Sequence, residues 1–299
     1  MQYSARPYTG KKDYQAMRRL LQTAYAINGP LVYATVGDLD WWRAERENPR
    51  DWSFLRLWWD EKDELGGFAW QGRNQVDLFT HPTRRRVEAD MLAWSEQQRR
   101  EQLEKEGGSR TWRAWALTSD SSRQTLLGRN GYQRASDAFV LFTYPLENEV
   151  PPSVLPEGFK IRPVAGKEEY KARVGLHRQA FDPSRFTPTK YRAVRATPTY
   201  RPDLDLVVAA PDGTLAAYCI LWFDEVNRIG EFEPVGCAPQ FRRKGLTRAL
   251  LLEGLRRLRR LGGRFGHLYT AVDEIPALSL YRTTGFKEVD RVLAWEKDL

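Results

Sequence analysis

The segment Pro239-Gln240-Phe241-Arg242-Arg243-Lys244-Gly245-Leu246-Thr247-Arg248-Ala249-Leu250 has the residue types needed to hold a polyanion. It follows a short apolar run, Val235-Gly236-Cys237, and opens a stretch with Leu251, Leu255, Leu258 and Leu261 at helical spacing. A loop at the start of a helix presents free backbone N–H groups and the positive end of the helix dipole, which together seat a phosphate. Arg242, Arg243 and Lys244 add fixed positive charge. Gly245 lets the backbone approach a phosphate without a Cβ in the way. A second segment, residues 273–286, reads as a short helix. Asp273 is its expected N-cap, Pro276 fits only a first turn, and Gly285 is a natural end. Ala277, Leu280 and Tyr281 fall three and four apart, on one face.

The first segment resembles the acetyl-CoA-binding motif of the GNAT acetyltransferases, Arg/Gln-x-x-Gly-x-Gly/Ala. Arg242 and Gly245 match it, and Thr247 stands where that family has a small residue. The second resembles the signature Asn-x-x-Ala-x-x-Leu-Tyr-x-x-x-Gly-Phe of the same family. Ala277, Leu280, Tyr281, Gly285 and Phe286 match, and Glu274 stands at the asparagine position. The resemblance implies transfer of an acetyl group from acetyl-CoA to a primary amine, on a small molecule or a peptide, by direct attack. It implies cofactor contacts along Val235, Gly236 and Cys237, then Arg242, Arg243, Lys244, Gly245, Leu246, Thr247 and Arg248. Glu274, Ala277 and Tyr281 complete that set.

Tyr281 is the candidate acid for the departing thiolate. Glu231 and Glu233 are the candidate bases, two apart on a strand and so on one face. A buried carboxylate has a raised pKa, which suits it to deprotonating an ammonium. Glu233 is preferred because it is closer to the expected thioester. Cys237 is expected on the same face as a small buried residue, not a nucleophile. The acceptor side is expected in residues 178–200 and the turn at 224–227, where Asp182, Asp224 and Glu225 could attract a cationic amine. The alternative is a sensor or scaffold of the same fold that holds CoA without turning it over.

The elements that must position these groups divide at residues 147–153, a polar stretch with a Pro-Pro pair. The expected domains are 1–148 and 149–299. The expected fold class is α/β (α+β), two tandem GNAT-like domains, each a mixed, mostly antiparallel sheet flanked by helices. The first half repeats the plan of the second. Arg84 precedes Arg242 by 158 residues and Gly131 precedes Gly285 by 154. Val87 stands where Gly245 stands and Leu127 where Tyr281 stands, so the first copy reads as degenerate. Its tryptophans are expected to pack its core and the contact between domains.

Composition sets the frame. The chain has 299 residues, 41% hydrophobic and 29% charged, which excludes a disordered chain. No apolar run approaches the roughly 20 residues needed to span a bilayer, so no membrane partner is expected. Two cysteines and three dispersed histidines make neither a disulfide framework nor a metal site, and the expected compartment is a reducing cytoplasm. A net charge of +8 suits an anionic partner such as CoA. Arginines cluster at residues 256–264, but without a nucleic-acid motif that class of partner is not expected.

Overall fold

The computed structural model describes residues 2–46 and 51–299. The first half runs β1 (Tyr3–Pro7), α1 (Lys11–Asn28), α2 (Val36–Glu45), β2 (Leu55–Asp60), β3 (Leu65–Gln71), β4 (Gln75–Thr80), α3 (Glu88–Glu106), β5 (Thr111–Leu117), α4 (Ser121–Arg129) and β6 (Gln133–Pro145). The second half runs β7 (Lys160–Pro163), α5 (Tyr170–Ala180), α6 (Pro188–Arg195), β8 (Asp205–Ala209), β9 (Leu215–Asp224), β10 (Ile229–Cys237), α7 (Leu246–Arg260), β11 (Phe265–Ala271), α8 (Ile275–Thr284) and β12 (Lys287–Asp298). The order from β4 to β6 is therefore that from β10 to β12.

The four-residue drift between the two copies has a single place in the fold. Helices α3 and α7 start 246 − 88 = 158 residues apart, and the strands that follow start 265 − 111 = 154 apart. Helix α3 has 19 residues and α7 has 15, so the drift is one extra turn at the end of α3.

The strands form one twelve-stranded sheet in the order β1-β2-β3-β4-β5-β12-β6-β11-β10-β9-β8-β7. Among the described residues, only β4–β5 and β10–β11 are parallel pairs. The two last strands are exchanged: β12 pairs with β5 and β6 pairs with β11. Val140, Phe142 and Leu146 from the end of the first half consequently lie in the second half's core, beside Leu250, Leu251, Leu255 and Leu258 of α7. Each such large apolar side chain contributes about 1.5–3 kcal/mol when fully buried. Among the described residues, no helix is long and apolar enough to cross a membrane, and no cluster of His, Cys, Asp and Glu could hold a metal.

One expected cap moves, and helix α2 starts on Thr35: the Thr35 hydroxyl accepts from Gly37 N at 3.0 Å, and Asp38 Oδ2 accepts from Thr35 N at 2.7 Å. That reciprocal pair is a capping box, and it puts Asp38 inside the first turn. Helix α8 is capped by Glu274, not Asp273, because its hydrogen bonding begins at the Glu274 carbonyl, 3.0 Å from Leu278 N. The tryptophans divide by role. Trp58 and Trp112 are core residues, while Trp41 crosses to the second half, its ring 5.4 Å from that of Phe186.

Candidate active site

Strands β10 and β11 pair only from Ile229 to Glu231, against Phe265 to His267. Beyond that point β11 continues along β6 and the two strands part, which makes a fork. Glu233 lies just past the last pair. Pro234 follows it and removes a ladder donor. From Phe232 to Val235 three steps on β10 span two on β9, Leu221 to Cys219, which is a bulge. The extra residue shifts the alternation of side chains. Glu231 meets Thr35 at the start of α2, whereas Val235 and Cys237 pack against the core under α7. Cys237 therefore lies on the opposite face from the glutamates, not on the shared face that a regular strand requires.

Both glutamates sit in a nest of acids. Glu231 is 1% exposed, and its Oε2 accepts from the Thr35 hydroxyl. Burial, and then the charge of Asp38, raise its pKa well above the usual carboxylate range. Asp38 accepts from the Tyr269 hydroxyl at 2.8 Å, and burial raises its pKa too. Glu233 is partly buried; desolvation first, then the charges of Asp38 and Glu45, raise its carboxyl to about 8. Tyr281 is buried on α8, edge-on to Phe142 of β6 at 5.7 Å. Burial and the charge of Glu233 push its phenol above its ordinary value, so it stays protonated. The arrangement pairs a carboxyl able to take a proton near neutral pH with a phenol able to give one.

The basic loop stands at the end of β10. Arg242, Arg243, Lys244 and Gly245 are exposed at the mouth of α7, whose first turn has no side-chain cap. Gly245 has φ 75° and open space where a Cβ would stand. Arg243 has φ 66°, a left-handed conformation that costs a side-chain-bearing residue about 1–2 kcal/mol. Strain of this kind persists where the surroundings impose it, often at a ligand clamp. Leu246 is sunk in the core and fixes the helix end, leaving its backbone at the loop. Thr247 is half-buried in the first turn of α7, and Arg248 Nε lies 3.4 Å from the Thr283 carbonyl, tying α7 to α8. At Gly236 a Cβ would stand 2.6 Å from the Tyr218 ring and 2.9 Å from Ala180. Glu274 is exposed at the head of α8, and Ala277 is partly buried one turn before Tyr281. These donors, cations and small residues are the chemistry that a pyrophosphate and its arm require.

The first half closes the same place from within. Val87, the counterpart of Gly245, has φ −67° and is fully buried. Glu88 then begins α3, 2% exposed, where a phosphate would meet the helix end. Its carboxylate accepts from Arg123 Nη2 at 2.8 Å and Nε at 3.1 Å, from the Thr80 hydroxyl at 2.6 Å, and from Arg85. Burial alone would raise the Glu88 pKa, but Arg123 and Arg85 outweigh it and bring it down to about 2. Arg123 lies 154 residues before Ala277, so this half carries a buried guanidinium where the second carries an alanine.

Of the acids expected to draw an acceptor, Asp224 is buried and committed to its own turn. It accepts from Gln22 Nε2 and Asn227 Nδ2, each at 2.8 Å. Glu225 lies 3.7 Å from Arg201, and Asp182 is exposed. The acids that do face the fork, Asp38 and Glu45, come from α2 of the first half. The Thr-x-x-Asp pattern at Thr35–Asp38 was a sequence signal for the helix start, but nothing in it announces Glu231, 196 residues away.

Residues 174–286 match the family model described as Acetyltransferase (GNAT) family. A mycothiol acetyltransferase of Saccharomonospora viridis is 27% identical over 231 residues, covering 73% of this chain and 72% of that protein. One of Kineococcus radiotolerans is 32% identical over 192 residues, covering 62% and 61%. Among solved structures, a GCN5-related N-acetyltransferase from Sphaerobacter thermophilus superposes with a TM-score of 0.69 at 21% identity, covering 99% of this chain and 95% of that one. A tandem GNAT protein from the clavulanic acid biosynthesis pathway gives 0.67 at 16%, covering 99% and 98%. Those two likenesses establish the fold. With the motifs and the fork, the match over residues 174–286 marks that segment as GNAT-like, and the whole chain has the fold of those tandem proteins.

Proposed function

We propose that this acetyltransferase takes its acetyl group from acetyl-CoA and passes it to a primary amine, with the chemistry in residues 149–299. Residues 1–148 are then a degenerate copy that lends β6 and α2. The observation that carries this is the fork between β10 and β11, with a carboxyl raised to about 8 inside it and an uncapped, arginine-flanked helix end at its tip. The backbone of Gly245, Leu246 and Thr247, with Arg242, Arg243, Lys244 and Arg248, holds the phosphates. Val235, Gly236 and Cys237 line the arm, and Glu274 and Ala277 border it from α8.

Glu233 removes a proton from the ammonium. The free amine attacks the thioester carbonyl, the C–S bond breaks, and Tyr281 protonates the leaving sulfur. Glu231 is held by Thr35, which leaves Glu233 as the base. Relatives named mycothiol acetyltransferases support a small-molecule acceptor. Release of the CoA thiol, followed across a panel of primary amines, tests the assignment. Turnover by the wild type that Glu233→Gln and Tyr281→Phe both suppress is expected. Acetyl-CoA binding without turnover on any amine would replace the enzyme by the sensor.

A further inference from the structure

Like β10 and β11, strands β4 and β5 pair briefly, at Gln75–Val76 with Arg113–Ala114, and then part. This first-half fork opens into a cavity of about 530 Å³ beneath α2, reached also by β6, β11 and β12. That volume suits a small organic ligand. Six aromatic residues stand in its walls: Tyr33, Trp42, Trp70, Trp115, Phe139 and Tyr269. Asp38, Glu45 and Asp77 bring three carboxyls to it, against the guanidinium groups of Arg46 and Arg123. Arg123 is already bound bidentately by Glu88. Arg46 lies over the Phe54 ring at 3.5 Å and donates to the Asp51 carbonyl at 3.0 Å.

Asp77 has a weak partner by comparison, Gln75 Nε2 at 3.4 Å. A further group points the same way. His267 lines the cavity, is 2% exposed, and its Nδ1 has no hydrogen-bond partner among the described residues. Its place on β11 explains why it was not legible as a wall of the first half.

We propose that this cavity binds an organic cation, an ammonium group on an aromatic or alkyl body, with Asp77 and Asp38 as counter-charges and the tryptophans as its cage. Aromatic faces attract such cations, and more strongly away from water. A CoA-like anion is disfavoured, because Glu88 and Arg123 already fill the phosphate seat of this half and the cavity's acids repel it. Burial holds the Asp77 carboxyl up at about 7 and raises that of Asp38, as expected for acids without an adjacent free cation. Asp38 is shared with the acids around Glu233, so the cavity adjoins the proposed site of transfer, while Asp77, the group the test addresses, belongs to the cavity alone.

The test is intrinsic tryptophan fluorescence of the full chain titrated with benzyltrimethylammonium, a cation with no N–H to acetylate, and with benzyl alcohol as the uncharged control. Saturable quenching by the cation at about tenfold lower concentration than by the alcohol is expected. Asp77→Asn should weaken cation binding about tenfold, while Asp77→Glu restores it and neither alters acetyl-CoA binding. Equal affinity for the two probes, no saturation, or an affinity indifferent to Asp77→Asn in a variant that melts like the wild type would overturn the proposal.

Discussion

Replacing Glu233 by glutamine tests the base by stability as well as by rate. Burial raises the folded carboxyl from an ordinary 4.5 to about 8. At roughly 1.4 kcal/mol per unit, the ionised form carries up to about 5 kcal/mol of strain in the fold. The side chain is only partly buried, so that figure is an upper value. The direction follows from proton binding. Between pH 4.5 and about 8 the unfolded chain releases a proton that the folded chain keeps. The stability contributed by the neutral group is thus full below the lower value and is lost as pH climbs through the upper one.

Glutamine imitates the neutral carboxyl at every pH. Wild type and Glu233→Gln should melt almost together at about pH 5, and the variant should be the more stable at about pH 9. At roughly 2–4 °C per kcal/mol, the gap is several degrees by thermal circular dichroism. Activity should move oppositely. Wild-type kcat/KM should rise tenfold per pH unit below an inflection near 8, and the variant should lose about 10²–10⁴-fold with that inflection gone. Identical melting of the two proteins at both pH values would refute the desolvated carboxylate on which the reasoning stands.

Tyr281→Phe should lower kcat by about 10²-fold or more while calorimetric affinity for acetyl-CoA stays unchanged, since the ring's packing on Phe142 is kept. Glu88→Ala leaves the buried Arg123 unpaired and should cost about 3–5 kcal/mol in a denaturant melt; a loss below about 1 kcal/mol would show that water rescues the arginine. A fragment of residues 149–299 lacks β6, and so Val140 and Phe142, and should expose its core to a hydrophobic dye. Cooperative monomeric unfolding of that fragment would contradict the importance of the exchanged strand.

Local chemistry was legible in the sequence where one segment carried it. The loop at 242–245, the amphipathic α7 and the close of α8 at Gly285 each follow from neighbouring residues. The repeat was legible too, and its four-residue drift is the extra turn of α3. What stayed hidden depends on distant partners. Strands β6 and β12 have similar apolar character, and nothing local says that each pairs across the halves. The bulge that turns Cys237 to the other face depends on register with β9. Thr35 and Asp38 form the wall beside Glu231, a contact that spans 196 residues of sequence. Glu88 carries no local sign of the buried ion pair it makes with Arg123, 35 residues on.

Calorimetric titration of acetyl-CoA into the full chain tests the central claim most directly, because the stoichiometry counts phosphate seats. The account predicts one site per chain, abolished by Gly245→Trp, whose side chain would enter the open space before the loop. One site that survives Gly245→Trp would place the cofactor in the first half and reverse the assignment of active and degenerate copies, and two sites per chain would contradict the degenerate reading of the first.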